Sequence, residues 1–286
     1  MLFVIFGLFG LIIGSFINVV VLRSGARALS GRSGCMSCGK EIPWFDLIPV
    51  FSWLQLRGRC RACGSRISFQ YPAVESTTGI SFALVGGASL PPVATVLGLL
   101  ICAVLIAIVV YDLLHTVIPD AWVWSFNALA FVSIFLSPLQ ATSYWLPAVL
   151  AGPAVALPLF VLWLVSRGRW IGLGDSKLAL GIGWLLGPLY GIQAVLLAFI
   201  IGAVVSVCVL LPLPHLIRFF KKAACLCLPA RCTQAGGARR QGIAQFSHTA
   251  SYTMKSEVPF GPFLVVACFL VWVSQMYGIQ IPFLWQ

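Results

Sequence analysis

The chain has 286 residues, 60% hydrophobic and only 9% charged, with a mean hydropathy of +1.01. A soluble domain carries about a quarter charged residues, so this composition excludes an ordinary cytosolic enzyme, a disordered regulator and a small secreted domain. It fits an all-α polytopic membrane protein, and the net charge of +11 reads as topology and contact with anionic membrane lipids before it reads as nucleic-acid binding.

The first element is an apolar run over 3–22. It has no basic residue ahead of it, and Arg23 follows it, which favours an uncleaved first span over a signal peptide. Further spans are expected at 74–90, 93–111, 121–138, 145–166, 178–189, 190–213 and 258–277, about eight in all, all but 178–189 near the length that crosses a bilayer. The pair around Gly187-Pro188 is the least regular, because its first member is short and the dipeptide could be a kink. Residues 23–72 hold eight Lys/Arg, 73–166 none, 167–177 three and 178–257 seven. Loops rich in Lys/Arg stay cytoplasmic. With the N-terminus outside, the clusters 23–72, 167–177 and 214–257 all fall inside, and the connections near Pro91-Pro92, Gln140 and Gly187-Pro188 fall outside. No internal repeat is visible. The polar stretch 221–257, with Gly236-Gly237 and Arg239-Arg240, reads as a flexible loop.

Four of the ten cysteines form Cys35-x2-Cys38 and Cys60-x2-Cys63. Two such knuckles at this separation are a zinc-ribbon signature. Gly39 and Gly64 follow the second Cys of each pair, where the turn needs a residue tolerant of positive φ. Two disulfides are the alternative, but the charge pattern puts this loop in the cytoplasm, where thiols stay reduced. A site of four thiolates has no open position, so Cys35, Cys38, Cys60 and Cys63 are expected to hold a structural Zn2+. Trp44, Phe45, Phe51 and Trp53 between the knuckles suit a docking module better than a nucleic-acid zinc ribbon. Cys102, Cys208 and Cys268 lie in apolar spans and read as packing residues. Cys225, Cys227 and Cys232 in the basic loop lack an evident fourth ligand and read as free or lipid-modified thiols.

Only seven acids exist, and an ionisable group at the edge of a span is a functional hypothesis by default. Asp112 ends the third span, just before His115, Pro119 and Asp120. Asp175 ends Gly172-Leu173-Gly174-Asp175 at the mouth of the sixth. The charge pattern returns both to the cytoplasmic face. Three readings stay open on the residues alone. The aspartates could share one proton and activate water for peptide hydrolysis. They could bind a divalent metal with His115 and Asp120. They could be helix-end partners of Arg167, Arg169 or Lys177 without chemistry. Neither G-x-S-x-G nor H-E-x-x-H is present.

Taken together, these motifs resemble the type 4 prepilin leader peptidases, intramembrane aspartic proteases of the GxGD kind. The first span ends Gly14-Ser15-Phe16-Ile17-Asn18-Val19-Val20 with Arg23, similar to the family's GSFxNVxxxR opening. The two Cys pairs follow. Between and after them come Ile48-Pro49-Val50-Phe51-Ser52-Trp53, Leu56-Arg57-Gly58-Arg59-Cys60 and Tyr71-Pro72-Ala73-Val74-Glu75. The element from Asp112 to Asp120 and the Gly-x-Gly-Asp at 172–175 complete the match, which covers most of 10–180. Residues 215–257 are longer and richer in Cys than the family pattern.

The resemblance implies Asp112 and Asp175 as the catalytic pair, with Asp120 a motif residue of unassigned role. It implies cleavage of the basic leader of type IV prepilins or pseudopilins at the cytoplasmic face of a bacterial inner membrane. N-methylation of the new N-terminus from S-adenosylmethionine is implied as well, although no glycine-rich, strand-linked donor site can be picked out. The corresponding organisation is a first transmembrane helix (1–22), a cytoplasmic four-cysteine zinc-binding domain (23–72), a membrane-embedded peptidase core (73–213), a basic loop (214–257) and a last helix with tail (258–286). The alternatives are a transporter or assembly scaffold with a zinc-ribbon docking loop, or a pure methyltransferase.

Overall fold

The computed structural model describes residues 1–24, 32–136, 145–210 and 259–279. The basic loop 214–257, with Cys225, Cys227 and Cys232, and the connection at Gln140 lie outside the described residues. Eight helices stand where eight spans were expected: α1 (Leu2–Arg23), α3 (Gln70–Gly87), α4 (Pro92–His115), α5 (Asp120–Leu136), α6 (Trp145–Ser166), α7 (Leu173–Leu186), α8 (Pro188–Val205) and α9 (Gly261–Met276). A short helix, α2 (Phe51–Gln55), lies between the knuckles. Four of them (α1, α4, α6 and α8) are long and apolar enough to cross a membrane by length and composition, while α5 and α9 are apolar but shorter. The protein is an all-helical membrane protein; the number of crossings rests on the charge pattern.

Small residues decide how the helices meet. Gly10 and Gly14 of α1 lie so close to α3 that a Cβ on Gly10 would sit 2.7 Å from the Thr78 carbonyl, and one on Gly14 2.8 Å from the Glu75 Cα. Close backbone approach through small residues is how apolar helices associate without a hydrophobic driving force between them. The Asn18 side-chain amide donates to the Tyr71 carbonyl at 3.3 Å across the same seam. Ile17, Val21, Val74 and Val110 then form a shared core among α1, α3 and α4.

Helix α7 is the buried centre, with Leu178, Ala179 and Ile182 fully enclosed. Gly181 presses on Phe126 and Asn127 of α5, and Gly183 on the Ala151 carbonyl of α6. The Trp184 indole N–H reaches the Val149 carbonyl at 2.9 Å. Gly187, at φ 81°, ends α7 and Pro188 opens α8. The dipeptide is therefore a break between two helices and not a kink within one: glycine tolerates the left-handed turn, and proline suits a first helical position.

Two of the boundaries that differ from expectation bear on the aspartates. Helix α4 continues through His115 and α7 starts at Leu173, so each aspartate is inside a terminal turn and not beyond it. The chain divides into two compact units, Met1–Phe199 with Pro259–Gln286, and Ile200–Val258. Of the second, residues 200–210 are described: the end of α8 and a π-helical turn at Ser206–Leu210.

Candidate active site

Asp112 occupies the last turn of α4 and is 3% exposed; Asp175 occupies the first turn of α7 and is 6% exposed. Thr116, in the left-handed region at φ 54°, closes α4 by donating its amide to the Asp112 carbonyl at 2.7 Å. The chain then turns through Ile118 into α5. Ile118 is the hub of the site: a Cβ on Gly174 would lie 3.2 Å from its Cβ, and one on Gly261 3.1 Å from its Cδ1. Gly261, the first residue of α9, covers Asp112 directly, because an added Cβ would stand 2.5 Å from Oδ2. Gly172 caps α7, accepts the Asp175 amide at 3.2 Å, and faces the Asp175 carboxylate. The end of α4, the starts of α7 and α9 and the α4–α5 turn thus gather around Ile118, with Asp112 against Gly261 and Asp175 against Gly172.

The other residues named with them go elsewhere. Lys177 pairs with Asp120 at 2.6 Å, and the Asn127 amide donates to the Lys177 carbonyl at 3.1 Å. This links the start of α5 to the start of α7. The Arg169 guanidinium donates to the Ser166 carbonyl at 3.3 Å. Among the described residues neither Asp112 nor Asp175 forms an ion pair, so the expected partners Arg167, Arg169 and Lys177 do not pair with them. His115 stacks on Tyr111 with ring centroids 4.2 Å apart. Asp112, His115 and Asp120 do not converge; among the described residues the cluster with metal-binding geometry is Cys35, Cys38, Cys60 and Cys63. The sequence analysis does not single out Gly261, and it holds Ile118 only as a member of the Asp112–Asp120 element, without a role. The only available signal was Gly261-Pro262, a helix start with a side-chain-free residue.

The cysteine module is built from two copies of one turn. The Cys35 amide bonds the Lys40 carbonyl and the Gly39 amide the Cys35 carbonyl; the Cys60 amide bonds the Ser65 carbonyl and the Gly64 amide the Cys60 carbonyl, all at 2.8–2.9 Å. Gly39 and Gly64 take φ 70° and 69°, the conformation expected of them. The four sulfurs lie within 4.8 Å of one another, with Cys35 and Cys63 at 3.8 Å. A tetrahedral ion with Zn–S bonds of about 2.3 Å needs sulfurs roughly 3.8 Å apart, so the donor set fits zinc. The Ser65 hydroxyl holds the Cys35 thiol down to about 6 and also lowers Cys63, while desolvation and the neighbouring Cys35 and Cys63 sulfurs push Cys38 up to about 11. A metal at the centre would favour the thiolate form of all four. Arg61 grips Asp46 through two bonds of 2.7 and 2.9 Å. No comparable cradle for S-adenosylmethionine is evident: the described residues hold two isolated β-bridges, both in the knuckles, and no strand-linked glycine loop.

A family model described as the bacterial peptidase A24 N-terminal domain matches residues 8–88, and one described as the type IV leader peptidase family matches 99–207. The prepilin leader peptidase/N-methyltransferase of Bacillus subtilis is 33% identical over 201 residues, covering 68% of this chain and 78% of its own length. An Escherichia coli protein named type 4 prepilin-like proteins leader peptide-processing enzyme is 32% identical over 226 residues, 69% of this chain and 82% of its own. The Vibrio cholerae prepilin leader peptidase/N-methyltransferase is 31% identical over 195 residues, 64% and 77% respectively. These names do not favour the transporter or scaffold alternative. No solved structure matches the chain significantly.

Proposed function

The chain belongs to the type IV leader peptidase family, and from that membership we propose that it is a membrane-embedded aspartic endopeptidase that removes the basic leader from type IV prepilins or pseudopilins. The observation that carries this reading is the convergence of two buried helix-end carboxylates, Asp112 and Asp175, on a floor of Ile118, Gly174 and Gly261. Two carboxylates within a few ångströms of each other share one proton. The ionised one takes a proton from water as the water oxygen attacks the scissile carbonyl, and the protonated one donates its hydrogen bond to the carbonyl oxygen. Collapse of the tetrahedral intermediate returns a proton to the leaving amine, and both products leave with the dyad restored. Exposed Leu113, Val117 and Trp170 flank the aspartates in sequence and suit a substrate whose helix begins where its basic leader ends.

The relatives' names carry a second activity, N-methylation of the new N-terminus with S-adenosylmethionine as donor, and the proposal includes it; the peptidase steps do not involve that donor. The four cysteines would hold a structural zinc that shapes the loop 23–72. The proposed location is the bacterial inner membrane, crossed eight times, with both aspartates at the cytoplasmic face and the basic loops against anionic lipids. Reporters fused near Gln140 are expected outside and those near Gly236 in the cytoplasm; a cytoplasmic signal at Gln140 would overturn the map.

The activity is tested by incubating purified protein with a prepilin, with and without methyl donor, and weighing the product. A mass loss of leader length establishes the peptidase, and a further gain of one methylene establishes the methyltransferase. An unchanged prepilin mass alongside a well-folded enzyme rejects the reading.

A further inference from the structure

The cysteine module is fastened to the helices at an unexpected depth. The Val50 amide donates to Glu75 Oε2 at 2.7 Å, and Glu75, 7% exposed, lies in the second turn of α3 against Gly14 of α1. Gly14 lies nine residues before Arg23, the charged end of α1, or about 13 Å along the axis at 1.5 Å per residue. A glutamate side chain cannot recover that distance. Val50 and the start of α2 are therefore below the end of α1, on the bilayer side of it. Val50 itself has φ 60°, an outlier for a β-branched residue that persists only where its surroundings hold it. The Glu75 bond is such a hold.

What this anchor presents is apolar and uncovered. Ile48, Phe51 and Leu54 are 43%, 60% and 61% exposed. Arg57 and Arg59 follow at once, both without an ion pair among the described residues. The module's own acids are already neutralised, Glu41 by Arg32 and Asp46 by Arg61. Apolar side chains at the bilayer edge with adjoining unneutralised arginines complement an interface of acyl chains and anionic headgroups.

We propose that Ile48–Leu54 is a membrane-docking wedge, seated among anionic phospholipids of the leaflet that α1 leaves at Arg23 and pinned there by Glu75. The wedge rests on the membrane placement above and not on the peptidase chemistry. It gives Phe51, one of the aromatic residues between the knuckles, a lipid partner and makes the module part of the membrane surface.

The test uses the full chain in phosphatidylglycerol nanodiscs, with a photo-crosslinking benzoylphenylalanine at position 51 or 54. Position 100, half-exposed on α4, is the lipid control, and position 36, 78% exposed at the first knuckle, the solvent control. Lipid adducts are expected at 51, 54 and 100 but not at 36, and fewer at 51 and 54 when phosphatidylcholine replaces the anionic lipid. Glu75→Ala should cut adducts at 51 and 54 several-fold. Glu75→Gln keeps an acceptor for the Val50 amide and should retain them. Adducts at 100 without any at 51 and 54, adducts to protein instead of lipid, or equal labelling at 36 each overturn the wedge. Loss at 100 as well overturns the membrane placement, while prepilin cleavage measured on the same samples reports on the peptidase reading separately.

Discussion

The four cysteines and the two aspartates are each gathered from distant stretches of chain, yet they are held by different means. Each cysteine knuckle closes on its own backbone, through the same pair of hydrogen bonds and the same glycine at positive φ. Only the meeting of the two copies is non-local. The aspartates have no local turn of that kind in common. Their meeting depends on Gly261, Gly174 and Gly181 allowing α9, α7 and α5 to approach without side chains between them. A locally closed site should survive disturbance of the helices, and a packing-dependent one should fail under changes as small as a methyl group. That contrast can be broken by experiment.

The largest effect is expected at the carboxylates. Asp112→Asn and Asp175→Asn each remove proton exchange while keeping shape, and each should cut prepilin cleavage by several orders of magnitude. The double variant should be little worse than either single, as for groups acting as a unit. Substantial cleavage by a well-folded Asp175→Asn protein would reject the dyad. Next comes Gly261→Ala, which touches no catalytic group by chemistry. Its Cβ would meet Asp112 Oδ2 at 2.5 Å, and displacement of a reacting group by about an ångström costs on the order of 10²-fold. The expected signature is a kcat loss of that size with zinc content unchanged; full activity would show that the packing argument is too strict.

A smaller effect on cleavage is expected at the metal. One tightly held zinc per chain should be found, and Ser at any of Cys35, Cys38, Cys60 or Cys63 should loosen residues 23–72 toward protease while the spans stay inserted. Cleavage should fall less than for Gly261→Ala, and chelators should not stop it promptly. Gently purified protein without zinc would remove the site, and an immediate chelator block would give the metal a part in the chemistry.

This contrast also decides what could be read in the sequence. The knuckles were legible because their geometry is written within four residues, and the helices because apolar runs and basic clusters mark them one at a time. Asp112 and Asp175 could be singled out because carboxylates are scarce and costly beside a membrane. What held them together could not be read. Gly261 is one of 27 glycines, and nothing local distinguishes the one that lies on a carboxylate. Glu75 stood out only as an acid within a motif, since its partner is the backbone amide of Val50 and backbone groups leave no trace in a sequence. The sequence puts the start of α7 five residues late because Gly172 and Gly174 read as a loop, whereas tertiary packing carries the helix through Gly174.

The smallest effect should come from Asp120, the third aspartate of the family-like pattern. Its carboxylate accepts from the Lys177 ammonium at 2.6 Å, but the Asp120 side chain is 67% exposed and that of Lys177 24%. Solvent screens such a pair, and exposed ion pairs contribute about 0.2–1 kcal/mol, at most about a five-fold change in an equilibrium constant. The link between α5 and α7 also has independent support, because the Asn127 amide holds the Lys177 carbonyl and Gly181 packs on Phe126. Asp120→Asn should therefore lower cleavage less than about ten-fold, Lys177→Met should do the same, and the double variant should match either single, since both remove one shared interaction. The charge-reversed pair, Asp120→Lys with Lys177→Asp, should recover part of the loss. A loss as deep as that of Asp112→Asn, unrecovered by reversal, would mean that Asp120 touches the reacting atoms, and the site would then need three carboxylates instead of two.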